Sequence, residues 1–516
     1  MPEYLRTLIV VLVLATTVFA FAYRPAYAIM GARNFARRLN LWFTLTLAAF
    51  LAQSFWIYTV IAIPLLIYAN LRETNPPALF FFVLFALPTA TISIPGMGLI
   101  NFFFDLSHAR LLELFILLPV FFVLIRQRGT LTFGRTGPDK VLAVYLLLTA
   151  LLYLRETTVT DTLRQAFYLF IDAFLPYFVI SRSLKNMQAF RDGLLSLVVA
   201  TMVMALVAVF ETVKHWLLYR PLLATLGLGE EFFNYLGRDQ MLRATATAGH
   251  PIALGYLIVV GIGLYLFLLP TIRKKFIRRL GLALLAAGLI ASLSRGPWVG
   301  AGALLVVFTA TGRFAVRRLV GLTIAAILAL SLVAMLPGGE KITNILPFIG
   351  TTDQGSIDYR ENLLNQSITV IKRSPWFGSV NFLDTPEIES LRQGQRIIDI
   401  VNTYIAVALQ TGFVGLGLFV GFFILTLLSI YRAMRSIPDR NSEARLLGRA
   451  LLATLLAILL IIFTVSPIAF VPIMYWSVAG LGVAYAQMVR KQTAEKDHGT
   501  KQEFGLVRAS KQAVKK

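Results

Sequence analysis

The sequence contains no cysteine, which removes disulfides, thiolate zinc sites and thiol nucleophiles from the chemistry open to it. Histidine is nearly as scarce: His108, His215, His250 and His498 are all there are. No two stand at a His-x3-His spacing, and the one Glu-x-x-His match, Glu495 with His498, lies in a polar C-terminal stretch. A metal centre is therefore not expected, nor is a cofactor. Charged residues occupy 14% of the 516 positions, against about 25% in an ordinary soluble domain. No glycine pattern of the dinucleotide-binding or phosphate-loop kind is present, and no internal repeat.

What fills the chain instead is apolar. Hydrophobic residues make up 57% of it, in runs such as Leu194 to Phe210, Ile252 to Pro270 and Leu416 to Ile430, and about 20 such residues cross a bilayer as a helix. The fold class is all-α: a polytopic integral membrane helical bundle of about 12–15 transmembrane helices. Candidate spans run from 7–23 to 468–488; 39–52 and 54–70 form a tight hairpin, and 78–94 reads as one crossing. Thr7 to Ala22 reads as a first span, not a cleaved leader. The chain divides into N-terminal transmembrane helices (1–190), transmembrane helices with an outer loop at 214–251 (191–336), a long outer loop (337–400), C-terminal transmembrane helices (401–489) and a basic cytoplasmic tail (490–516). That tail is too poor in apolar residues to fold and reads as disordered. In the long loop, Tyr359 to Ile371 has helical spacing, so the segment should form helices over the membrane surface.

The formal net charge is +22, but the basic residues lie between and after the apolar runs, as in cytoplasmic loops, and not on one soluble face. They point to membrane topology and not to nucleic acid. The informative exceptions are basic residues on the outer side, where topology does not call for them: Arg243, immediately before a span, Arg295, in the turn between two spans, and Arg360, at the start of the helical part of the long loop. A guanidinium binds phosphate oxygens as a planar fork and stays charged at low dielectric. Three around one outer cavity suit a diphosphate and would stabilise it as a leaving group. Asp172, an ionisable residue inside an apolar span, should face a cavity or a partner, with Arg164 and Tyr168 as neighbours. Gly412, Gly415 and Gly417 read as close helix packing.

The order Arg243…Gly249-His-Pro251, Ser294-Arg-Gly-Pro-Trp298, Tyr359-Arg-Glu361, Ser374-Pro-Trp-Phe-Gly378, Asn402-Thr-Tyr-Ile405 and Thr411-Gly-Phe-Val-Gly-Leu416 resembles the O-antigen ligase and Wzy-type polymerase superfamily over about 190–416. The resemblance implies a metal-independent membrane glycosyltransferase of the bacterial inner membrane. It would move glycan from an undecaprenyl-diphosphate-linked oligosaccharide to the hydroxyl of an acceptor glycan on the periplasmic side. The favoured reading is polymerisation of exopolysaccharide or O-antigen repeat units, and the alternatives are an O-antigen ligase or a protein O-oligosaccharyltransferase. A lipid or polysaccharide transporter is the rival from another class. Further partners implied are membrane lipids and a chain-length regulator or export complex. On this resemblance Arg243, Arg295 and Arg360 bind the diphosphate, with Asn402, Tyr404, Trp298 and Glu361 in support. The ligase pattern carries histidine directly before the asparagine, where this chain has Val401, and valine cannot accept a proton. Asp399 and His250 are the candidates for the base that deprotonates the acceptor hydroxyl.

Overall fold

The computed structural model describes residues 1–98, 100–229, 235–238, 241–335, 354–392 and 398–513. The chain opens with α1 (Glu3–Met30), α2 (Ala32–Leu51), α3 (Phe55–Leu71) and the short α4 (Pro76–Val83), followed by the hairpin β1 (Thr91–Pro95) and β2 (Phe102–Ser107). Then come α5 (His108–Arg126), α6 (Gly137–Glu156), α7 (Val159–Ser183), α8 (Met187–Lys214), α9 (Arg220–Leu226) and α10 (Pro251–Thr271). The remainder is α11 (Lys275–Ala291), α12 (Arg295–Ala310), α13 (Ala315–Met335), α14 (Gln354–Arg373), α15 (Thr403–Ser436), α16 (Glu443–Thr464) and α17 (Phe470–Ala513). Among the described residues, eight helices (α1, α5, α6, α7, α8, α10, α15 and α16) are long and apolar enough to cross a membrane, and α3 and α12 are shorter apolar helices. The protein is a multi-pass, all-α membrane protein.

Two expectations need correction. The 78–94 stretch is not one crossing: α4 stops at Val83, and after Pro88 the chain turns into the antiparallel pair β1–β2, with Thr91 opposite Ser107 and a bulge between Ser93 and Pro95. Thr91-Ile-Ser-Ile-Pro95 alternates β-branched and polar residues between prolines, a pattern that favours a pleated edge over a helix. The C-terminal stretch is not disordered but continues α17 to Ala513. It is rich in Ala, Lys, Glu and Gln, all good helix formers, and Lys491 and Glu495 stand 3.9 Å apart at i, i+4. The 39–70 region is a hairpin of two helices, as its charges required; Gln53 takes a positive φ in the turn, and Ser54 caps α3 by accepting from the Trp56 N–H.

The centre of the bundle is α8 and α10, apolar on every side and the most deeply buried of the spans. Glycines bring neighbours into contact there: a Cβ on Gly288 would lie 2.6 Å from that of Ala205, and one on Gly261 would lie 2.6 Å from the Thr201 methyl. Such close approach is how helices associate where lipid offers no hydrophobic gain. Asp192 and Glu211 mark opposite ends of α8, about 28 Å apart at 1.5 Å per residue. At the Asp192 end, the wholly buried Arg38 pairs with both Glu73 (2.8 Å) and Asp192, while Asn75 donates to Asp192 (2.9 Å). At the Glu211 end, α14 and the turns after it form a separate small core, where Leu363, Val370, Phe382 and Ile388 pack with Leu409 of α15.

Candidate functional site

The Glu211 end of the bundle holds every candidate that the sequence offers. Glu211, fully buried at the end of α8, accepts hydrogen bonds from the backbone N–H groups of Leu218 (3.0 Å), Thr245 (3.0 Å) and Ala246 (2.9 Å). These bonds satisfy amides in a loop that no regular structure would pair, and they fix the Arg243–His250 segment against the bundle. The Ala244 N–H completes the anchor by donating to the Ala291 carbonyl (3.1 Å).

Held this way, Arg243 reaches the turn between α11 and α12 and donates through Nη2 to the Ser294 hydroxyl (3.0 Å). Ser294 in turn donates to the Ser292 carbonyl (2.9 Å), and Arg238 donates to the Leu293 carbonyl (2.8 Å). The hydroxyl of Ser294, at the N-cap of α12, is thereby taken up elsewhere and does not cap the helix. Arg295 is the first residue of α12, so it sits at the positive end of a helix dipole. Trp298 braces the turn from below, its indole N–H donating to the Leu289 carbonyl (3.0 Å).

His250 is the N-cap of α10, where its Nδ1 accepts from the Ile252 N–H (3.2 Å). Burial, and after it the cation of Arg243, press its pKa down to about 4, so the imidazole is neutral at physiological pH. A neutral ring whose Nδ1 accepts carries its proton on Nε2 and presents a donor.

Asp399 lies just ahead of α15. Its carboxylate accepts a hydrogen bond from the Ser466 hydroxyl, and its carbonyl accepts from the Tyr359 hydroxyl (2.9 Å). Burial pushes its pKa up, against the opposing effects of the Ser466 bond and the Arg360 guanidinium. Arg360 and Glu361 are exposed on α14. Asn402 caps α15, its Oδ1 accepting from Tyr404 (2.9 Å) and Ile405 (3.2 Å), and Tyr404 donates to the Leu459 carbonyl (2.8 Å). Asn402, Tyr404 and Trp298 are thus braces. The Asp399 group meets the Arg243–Arg295 group where α12 abuts α16: a Cβ on Gly296 would stand 2.1 Å from the Thr464 hydroxyl, two residues before Ser466.

The structure corrects two further readings. Of the three span glycines, Gly412 is a break in α15, with φ 64 and ψ −168, and its close contact is with the backbone of Trp376 and Phe377, not with another membrane helix; Gly415 faces Thr411 of its own helix, and Gly417 faces open space. The Pro375–Ser379 segment enters that break. Phe413 N–H donates to the Pro375 carbonyl (2.8 Å), Val414 N–H to that of Trp376 (3.2 Å), and Ser379 N–H to that of Leu409 (2.9 Å). Two motifs distant in sequence therefore form one latch. Asp172 pairs with Arg110, at 2.8 and 3.1 Å, and not with Arg164, which pairs with Asp161; Tyr168 does lie close, its ring 4.0 Å from the Arg110 guanidinium. Sequence reasoning missed Glu211 and Ser466. A carboxylate ending an apolar run, and a Ser-Pro pair parting two apolar runs, were the available signals.

These features define a polytopic membrane protein with a cationic, partly buried site at one face. Residues 280–420 match the family described as O-Antigen ligase. That segment, which runs from α11 to the latch in α15, is similar to the O-antigen ligase family. No curated protein matches the chain.

Proposed function

We propose that this protein is a membrane glycosyltransferase that moves glycan from undecaprenyl diphosphate to an acceptor hydroxyl, polymerising surface-polysaccharide repeat units at the periplasmic face. The observation that carries the reading is the joining of Arg243 to the Ser294–Arg295 turn at the uncapped start of α12, inside the face built by Glu211. Two guanidinium groups and a helix N-terminus suit a diphosphate. His250, a donor at Nε2, would add a hydrogen bond to a phosphate oxygen. Sidedness follows from charge: Arg273, Lys274, Lys275, Arg278 and Arg279 cluster at the opposite end of the bundle, as in cytoplasmic loops.

In the reaction, the acceptor oxygen bonds to the anomeric carbon as the bond from that carbon to the diphosphate oxygen breaks. The electron pair leaves with the carrier diphosphate, whose charge the arginines stabilise. The hydroxyl proton passes to Asp399, which burial makes more basic and Ser466 orients. The acceptor-presenting Nδ1 of His250 is already occupied, which favours Asp399 as the base. Purified protein supplied with the lipid-diphosphate oligosaccharide should elongate it and release undecaprenyl diphosphate without any nucleotide. Substrate crossing a vesicle membrane with no new glycosidic bond would instead make the protein a transporter, and transfer to lipid A core alone would make it a ligase.

A further inference from the structure

Next to Ser466, at Pro467, lies a cavity of about 190 Å³, part polar and part apolar, that the reaction above does not use. Thr91 and Ser107 of the hairpin, Arg110, Asp172, Pro467 and Pro472 form its walls. The two helices beneath it both widen into π-helical turns, Glu113–Leu117 in α5 and Leu169–Phe174 in α7, and these turns touch. Such turns are rare and recur at functional sites.

The charge of the cavity decides what it can hold. Arg110 is committed: it forks onto both oxygens of Asp172 and donates from Nη1 to the Asp105 carbonyl, with the Tyr168 ring against its face. Glu113, one turn along α5 and wholly buried, lies against the same pair. A guanidinium already matched by carboxylates offers no net attraction to a phosphate, but it presents donors and acceptors side by side. Threonine and serine hydroxyls on one wall and proline rings on the other complete a surface suited to a neutral polyhydroxylated ring. Drug-sized ligands occupy roughly 300–1,000 Å³, so this space fits one sugar unit and not a whole repeat.

Position points the same way. Pro467 follows Ser466 directly, and Ser466 holds Asp399. A base that deprotonates an acceptor must have the acceptor within reach, and Asp399 is tied through Ser466 to the Pro467 wall of this cavity, while the Arg360 guanidinium also acts on its carboxylate. We infer that the cavity between the β1–β2 hairpin, the two π-helical turns and the Pro467–Pro472 segment is the subsite that binds the terminal sugar of the acceptor glycan. As an acceptor site it rests on the glycosyltransferase reading, while its carbohydrate chemistry does not.

The test separates the two. Full-length protein in detergent is titrated with the repeat-unit oligosaccharide released from the host's own surface polysaccharide, and separately with inorganic diphosphate. Thr91→Trp, at an exposed position on the rim, obstructs the mouth without touching the ion pair; Asp172→Asn alters the floor. Both variants should weaken oligosaccharide binding by about tenfold or more, with diphosphate binding unchanged. No oligosaccharide binding by the wild type, unaltered binding by Thr91→Trp, or equal loss of both ligands would overturn the inference. Oligosaccharide binding lost in both variants, alongside a wild type that transfers nothing, would keep the sugar subsite and sink the enzymatic reading instead.

Discussion

Replacing Gly412 with alanine should unlatch the segment after α14 from the membrane helix beneath it. At φ 64 and ψ −168 the backbone lies in a region that only glycine occupies readily, and forcing a side chain there costs about 1–3 kcal/mol. The added Cβ would also stand 2.3 Å from the Trp376 carbonyl carbon and 2.4 Å from the Phe377 nitrogen. These are backbone atoms, so the latch itself must move. Its three bridging hydrogen bonds, at 2.8, 2.9 and 3.2 Å, contribute about 1 kcal/mol each. A loss of about 4–6 kcal/mol in the free energy of local opening corresponds to an opening equilibrium constant larger by at least about a hundredfold. Hydrogen exchange read by mass spectrometry on peptides covering 374–380 and 409–416 should accelerate to that extent, while peptides of α8 and α10 keep their protection. Gly417→Ala is the internal control. It lies in the same helix with nothing near its Cβ position and should be neutral, or stabilise by up to about 1 kcal/mol. Equal exchange in Gly412→Ala and Gly417→Ala would refute the latch.

Arg295→Lys keeps the charge but loses the fork, so glycan transfer should drop about tenfold or more although the protein inserts normally, and weaker donor binding should account for part of the fall; wild-type turnover would reduce Arg295 to a headgroup anchor. Asp399→Asn should remove most turnover with donor binding nearly intact, whereas His250→Asn, which can still cap α10, should remain active; the reverse pattern would move the base to His250. Because burial raises the Asp399 pKa and the Ser466 bond lowers it, turnover should fall with decreasing pH at a point above the ordinary carboxylate range. Ser466→Ala should move that limb to higher pH, and an unmoved limb would detach Asp399 from it. Arg38→Met leaves the buried Asp192 without its cation and Glu73 with Arg37 alone, a loss of about 3–5 kcal/mol visible as a lowered unfolding temperature in detergent. Arg37→Ala, whose side chain is 20% exposed, should cost far less.

Composition and charge determined much of this protein without help. Apolar runs of bilayer length require helices because lipid satisfies no backbone group, and the placement of basic residues between runs forced the 39–70 hairpin. The residue types of the proposed site could be singled out too, since on the proposed topology Arg243, Arg295 and Arg360 stand where basic residues are not called for. Tertiary structure alone decided which groups meet. Arg243 finds Ser294, and Asp399 finds Ser466, through contacts 51 and 67 residues apart in sequence, and no periodicity encodes such a separation. The partner of Asp172 was misread for the same reason: Arg164 is near in sequence, whereas Arg110 arrives on another helix. Gly412 shows the limit most clearly. A glycine in an apolar run is equally compatible with close packing and with a broken helix, and the choice lies in the backbone carbonyls of Pro375 and Trp376, which take the hydrogen bonds that the helix gives up.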